Sequence, residues 1–210
     1  MTLSTGSGRR RTIAVVTAGL SQPSSTRLLA DQLGAATDRA LRLHGDEVRI
    51  EVVELRDLAH AITDNLLTGF PSGPLADAVE TVLTADAVIA VSPVFSASYS
   101  GLFKMFFDVL PDGALEGTPV LLAATAGTAR HSLALDYALR PLFVYLKARV
   151  VTTGVLAASE DFASSGPTSS LSARVDRAAR ELADAVHGSA PSRVVDPFTN
   201  PPPFEDLLRG

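Results

Sequence analysis

Apolar positions follow two alternating rhythms along this chain. Continuous runs rich in Val, Ile, Leu and Ala occupy 12–17, 48–55, 87–91, 118–124 and 150–156, and read as strands. The run at 12–17 is β-branched with few polar interruptions, as a central parallel strand buried on both faces requires. Between these runs apolar residues recur every three or four positions. Leu28, Leu29, Leu33, Ala36, Ala40 and Leu43 share a broad face within 27–43, which Gly45 closes. Leu75, Ala78, Val79, Val82 and Leu83 predict a helix over 74–85, with Pro74 in its first turn. Further helices are predicted over 102–110, over 132–148 with a bend at Pro141, and over 171–187. The stretch 56–73 is only weakly periodic and reads as loop with a short helical turn, and 159–170 reads as exposed loop.

Strands joined by helical crossovers predict an α/β domain with a doubly wound, five-stranded parallel sheet. Strand order 2-1-3-4-5 follows because strands one, three and four each run into a loop of small and polar residues, as a shared site at a switch point would need. One loop, at 18–26, brings Ser21, Ser24, Ser25 and Thr26 to the start of a helix. Free N–H groups and hydroxyls there suit an anion such as phosphate, although a single hydroxyl could simply cap the helix. A second loop, Ser92 to Gly101, is long enough to line a ligand, and a third spans Thr125 to His131. The chain divides into an N-terminal tail at 1–11, one domain at 12–188 and a Pro-rich arm at 189–210.

Composition narrows the function classes. Apolar residues make up 46% and charged residues 20%, which fits a globular enzyme, and a net charge of -5 offers no general attraction to nucleic acid or anionic membrane. With no cysteine, disulfides and thiolate metal sites are ruled out, and His44, His60, His131 and His187 are too dispersed for a ligand pair, so no metal centre is expected. Arg9, Arg10 and Arg11 precede no long apolar core, so no signal peptide is read there, and no run approaches the ~20 residues a bilayer crossing takes. A soluble, cytoplasmic protein is expected. In the last segment five prolines accompany Phe198, Phe204, Leu207 and Leu208, which reads either as a disordered tail or as an extended arm on a partner subunit. Arg177 with Glu181 and Arg180 with Asp184 are expected to pair on the wet face of the last helix.

Familiar catalytic signatures are missing. There is no phosphate-binding Gly-x-x-x-x-Gly-Lys, and Gly6-Ser-Gly8 precedes the first strand, so it is no dinucleotide fingerprint. Ser98, Ser100, His131 and Asp136 are the raw materials of a hydrolase, but the strained Gly-x-Ser-x-Gly turn is absent.

Taken together, the loop Gly19-Leu-Ser-Gln-Pro-Ser-Ser-Thr26, the stretch Ser92-Pro-Val-Phe-Ser-Ala-Ser-Tyr-Ser-Gly-Leu-Phe-Lys104, the loop Ala124-Thr-Ala-Gly-Thr-Ala-Arg-His131 and the run Ala134-Leu-Asp-Tyr-Ala-Leu-Arg-Pro141 resemble the flavodoxin-like NAD(P)H-dependent FMN reductases. The branch most resembled supplies reduced FMN to two-component monooxygenases of the alkanesulfonate type. The resemblance spans roughly 12–156 and implies FMN and NADPH (or NADH) as cofactors, with hydride passing from the nicotinamide to flavin N5. It implies that Ser21, Gln22, Ser24, Ser25 and Thr26 hold the FMN phosphate. Pro93, Val94, Phe95 and Ser96 would line the isoalloxazine and ribityl chain, and Thr125, Ala126, Gly127 and Thr128 the flavin's other edge. Core packing is the plain alternative for Phe95. No catalytic side chain is implied, because the flavin carries the chemistry.

Gln22 departs from the family, many of whose members carry an arginine there, and a neutral amide predicts looser phosphate retention. Arg27, Arg130 and Arg140 could compensate, recognise the 2′-phosphate of NADPH, or be solvated. Tyr99 resembles a tyrosine that, in this branch, lies near a subunit interface in a helix associated with assembly. The helix at 102–110 adds its own argument, with one stripe of Leu102, Phe106, Val109 and Leu110 and a second of Phe103 and Phe107, of which the sheet covers one. A homodimer or homotetramer is therefore expected, with a flavin-dependent monooxygenase as a further partner. The alternatives are a flavin-bound reductase of quinones, azo dyes or metal oxyanions, a flavodoxin-like electron carrier, and a module for another phosphate ligand.

Overall fold

A computed structural model describes residues 9–163 and 169–188, so the Pro-rich arm, most of the N-terminal tail and 164–168 lie outside the described residues. The first strand, β1 (Arg10–Thr17), pairs in parallel with β2 (Glu47–Glu54) on one side and β3 (Ala87–Phe95) on the other. Next to β3 lies β5 (Pro119–Ala126), and beyond it β6 (Arg149–Val150) and β7 (Val155–Ala158), both parallel to β5. A two-residue strand, β4 (Ser98–Tyr99), turns back antiparallel on β3. The sheet is thus parallel and doubly wound as expected, but the five-stranded order 2-1-3-4-5 is corrected: the described residues form seven strands, in the order β2-β1-β3-β5-β6 with β4 and β7 off that path.

The departures have local causes. The predicted fifth strand at 150–156 is broken where, past the Val151 N–H that still donates to Val120 of β5 (2.9 Å), its next backbone groups bond to side chains. Arg140 donates to the carbonyls of Val151 (3.3 Å) and Thr152 (3.0 Å), and the Thr153 N–H donates to Glu181 (2.8 Å). The same contact takes Glu181 away from the expected pairing with Arg177. Asp184 bonds to His44 rather than Arg180, whose Nε donates to the Asp176 carbonyl.

The first half of the predicted 92–101 loop is strand. β3 runs to Phe95, and Val94 pairs with Tyr99 and Phe95 with Ser98 around a two-residue turn in which Ser96 (φ 49°) and Ala97 (φ 67°) are left-handed. That conformation matches the twist of a tight hairpin, although Gly or Asn is its usual occupant. Ser92 locks the hairpin's base, its buried hydroxyl accepting from the Ser100 N–H (3.0 Å) and donating to the Pro93 carbonyl (2.9 Å).

Seven helices flank the sheet in the described residues. On one face, α1 (Ser25–Leu43) and α7 (Ser170–His187) cover Ile13, Val15, Ile89, Leu121 and Ala123. On the other lie α2 (Ala59–Thr68), α3 (Pro74–Thr84), α4 (Gly101–Asp108) and α5 (Arg140–Tyr145), over Ala14, Val16, Val88 and Val120. A short α6 (Ser159–Ala163) follows β7. The stretch read as loop at 56–73 is a 3₁₀ turn, Leu55–Leu58, leading into α2, which stops at left-handed Gly69. Only Ile62 and Asn65 of α2 are buried, so it carries little periodic signal.

The helix predicted over 132–148 is divided. A 3₁₀ turn at Ala129–His131 and a π turn at Leu135–Leu139 precede α5, whose first turn holds Pro141, where no N–H is needed. Phe143 of α5 packs on Phe107 with ring centroids 4.8 Å apart and on Phe103 at 6.1 Å. Phe103, Phe106, Phe107 and Leu110 are buried within the one chain and Leu102 and Val109 are half-buried against the same core, so most of both stripes of α4 is covered from inside. Tyr99 is likewise placed in β4 rather than in a helix, half-buried against Phe103.

Candidate functional site

The carboxyl ends of β1, β3, β5 and β7 open into a cleft of about 330 Å³. Its walls are Leu20, Ser21, Ser25, Thr26, Pro93, Val94, Phe95, Thr125, Ala126, Gly127, Ser159 and Phe162. Three loops far apart in sequence converge there because parallel strands present all their carboxyl ends on one edge of the sheet.

The first wall depends on how α1 begins. Ser24 is its N-cap, in extended backbone, and its hydroxyl accepts from the Arg27 N–H at 3.2 Å. With Ser24 so engaged, the N–H groups of Ser25 and Thr26 have no acceptor among the described residues. Gly19 makes the close turn possible, since a Cβ there would lie 2.1 Å from Ser24 Oγ and 3.1 Å from Thr26 Cβ. Just before it, Thr17 Oγ1 is buried without a partner among the described residues. Thr26 Oγ1 lies 2.7 Å from Thr125 Oγ1, joining α1 to β5 inside the cleft wall.

Electrostatically the cleft is neutral. None of its described lining residues is ionisable. Arg27, one turn into α1, is spent on its own surroundings, bonded to Asp31 at 2.8 Å and paired with Glu54 at the end of β2. Its pKa is raised, first by the hydrogen bond to Asp31 and then by the charges of Asp31 and Glu54, with burial opposing them. Arg140 is spent as well, on Asp136 and two carbonyls. Of the three arginines singled out in the sequence, Arg130 alone has no ion pair among the described residues.

Of the predicted cofactor-binding residues, the cleft gathers Ser21, Ser25, Thr26, Pro93, Val94, Phe95, Thr125, Ala126 and Gly127. Gln22, Ser24, Ser96 and Thr128 do not line it. Gln22 is exposed, joined to Pro23 by a cis peptide bond, while Ser24 and Thr128 cap the turns that follow them and Ser96 forms the hairpin turn. Phe95 is 47% exposed at the cleft mouth, which excludes the core-packing alternative. Leu20, Ser159 and Phe162 were missed. The last two follow β7, whose register places Ala158 beside Ala126, and a continuous strand five ending at 156 hid that proximity.

This arrangement fits FMN. Hydroxyls and unpaired N–H groups gather at a helix N-terminus, where an anion is favoured. Pro93, Val94, Phe95, Ala126 and Phe162 supply apolar surface for a flat ring, and the volume is in the range of small-ligand sites.

Comparison with known proteins agrees. FMN reductase (NADPH) of Pseudomonas aeruginosa is 37% identical over 150 residues, 71% of this chain and 78% of the relative. NADH-dependent FMN reductase SfnE of Pseudomonas putida is 33% identical over 177 residues, 84% of this chain and 92% of the relative. A crystal structure of an oxidoreductase from Corynebacterium diphtheriae superposes with a TM-score of 0.83 at 44% identity, covering 87% of this chain and all of that one. The NADPH-dependent FMN reductase family model matches residues 11–163, a span that holds every loop of the cleft, and the chain belongs to that family.

Proposed function

We propose that this chain reduces FMN with NAD(P)H and releases the reduced flavin to a partner monooxygenase. The observation that carries this reading is the cleft itself, free of ionisable groups among its described lining residues, with polar donors at the start of α1 and apolar walls beyond. When bound, FMN supplies a hydride acceptor at N5 for the C4 hydride of the nicotinamide. The hydroxyls of Ser21, Ser25 and Thr26 and the N–H groups of Ser25 and Thr26 hold the phosphate. Pro93, Val94 and Phe95 would line one part of the ring site and Ala126 and Gly127 another, while Thr125 turns its hydroxyl toward Thr26. These groups position the reactants and keep water out, so no side-chain acid, base or nucleophile is assigned.

Because Arg27 is committed to Asp31 and Glu54, the phosphate is held by neutral donors. Neutral hydrogen bonds are weaker than charge-assisted ones, which suits a flavin that leaves after reduction. A cytoplasmic setting, where reduced nicotinamide and a monooxygenase would meet, belongs to the same reading. So does self-association through the exposed face of Tyr137 (79% exposed) and Tyr145 (84%) beside Tyr99. Aromatic side chains left this open to water favour a covered state.

The test is steady-state oxidation of NADPH and of NADH with and without added FMN, FAD and a quinone. Turnover that depends on added FMN is expected. Absence of oxidation under every condition would sink the reductase reading, while tightly bound flavin with quinone turnover would replace it with a bound-flavin reductase.

A further inference from the structure

We propose that Thr125, on β5, positions the Thr26 hydroxyl as a phosphate donor, so that the flavin phosphate is read through the sheet as well as through α1. This rests on reading the cleft as an FMN site. Thr125 came into view as a residue of the flavin's ring edge, yet side chains alternate along β5, and Thr125 shares its face with Leu121 and Ala123. That is the α1 face. Its hydroxyl therefore meets the first turn of α1, 2.7 Å from Thr26 Oγ1, across 99 residues of sequence.

Two hydroxyls in contact carry two protons, and only one can lie between the oxygens. The second proton has no acceptor among the described residues, although Thr26 and Thr125 are only 3% and 5% exposed and both line the cleft. The pair can be ordered in two senses. If Thr26 donates to Thr125, it turns lone pairs toward the start of α1, where they repel an anion. If Thr125 donates to Thr26, the Thr26 proton is free for the cleft, alongside the N–H groups of Ser25 and Thr26. A phosphate at α1 selects the second sense, and a hydroxyl that accepts one hydrogen bond becomes a better donor of the next. In a cradle without a committed cation, such a relay carries weight that an arginine would otherwise supply. Riboflavin has the same ring and ribityl chain but no phosphate, so it imposes no sense on the pair.

The experiment measures dissociation constants of FMN and riboflavin, by quenching of flavin fluorescence, for the wild type, Thr125→Val, Thr125→Ser, Thr26→Val and the double valine variant. Circular dichroism melts establish that each is folded. Thr125→Val is expected to weaken FMN about tenfold and leave riboflavin unchanged, with Thr125→Ser close to wild type. The double variant should bind FMN no worse than Thr26→Val alone, because one relay is lost only once. Equal weakening of both flavins, additive losses, a serine variant as poor as the valine, or unchanged FMN binding would overturn the relay. A wild type that binds neither flavin removes the FMN reading and the relay together, whereas one that binds FMN as tightly after Thr125→Val removes the relay alone.

Discussion

At Gly19 a single hydrogen in place of a side chain decides the shape of the α1 end of the cleft. Gly19→Ala would set a Cβ 2.1 Å from Ser24 Oγ, displacing the cap of α1. The expected result is a loss of about 1 kcal/mol of stability, the usual worth of such a cap, seen in chemical denaturation, together with FMN binding weakened about tenfold in titration. Gln22 tests the opposite direction. It lies outside the cleft wall, yet only three residues before Ser25, so Gln22→Arg brings a cation within reach of a phosphate there. A gain of ~1 kcal/mol in FMN affinity is expected, discounted for solvent at an exposed site, and the gain should fall as salt rises. Unchanged affinity at low salt would count against a phosphate at this end. At this scale the residue types were legible: hydroxyls before a helix and small residues after strands. Their division of labour was not, because whether a serine caps, turns or faces a ligand depends on backbone direction. Ser24 and Thr128 went to local caps and Ser96 to the hairpin turn instead of the cleft.

Among the elements, the β3–β4 hairpin and the aromatic contact between α4 and α5 support the cleft from behind. Ala97 holds φ 67°, which costs a residue bearing a Cβ about 1–2 kcal/mol. Ala97→Gly is therefore expected to raise unfolding stability by roughly 1 kcal/mol, less glycine's greater entropy in the unfolded chain, measured as a shift of the urea midpoint at constant slope. A lowered midpoint would show that the methyl matters more than the strain. Phe143 is fully buried against Phe103 and Phe107, and Phe143→Ala should cost ~3–5 kcal/mol, readable in the same denaturation experiment. Strands β1, β3 and β5 were legible because strands buried on both faces leave unbroken apolar runs. The helix α2 and the π turn were not, since α2 buries too few residues to show a period and a single π turn shifts the apolar phase over too short a span to stand out.

For the whole molecule, the question is which surfaces remain after folding. Most of both stripes of α4 is consumed inside the chain, and Tyr137, Val144 and Tyr145 remain exposed on this side, as do Leu66 and Leu67 of α2. Tyr137→Ser is expected to lower the oligomeric state measured by light scattering on a size-exclusion column, without a matching loss of thermal stability at low protein concentration. A variant and wild type of identical mass would move the interface elsewhere.

The sequence by itself determined the alternation of strand and helix, the parallel sheet and the three loops that carry the site, because periodicity and small-residue turns are local properties of the chain. Tertiary structure decided what lies beyond local reach. It split the last sheet position when Arg140 and Glu181 claimed its backbone, brought Phe162 to the cleft, and folded the second stripe of α4 onto Phe143. It also joined Thr26 to Thr125 across 99 residues, a contact made by the register of β5 and the placement of α1 on the sheet, which no local pattern encodes.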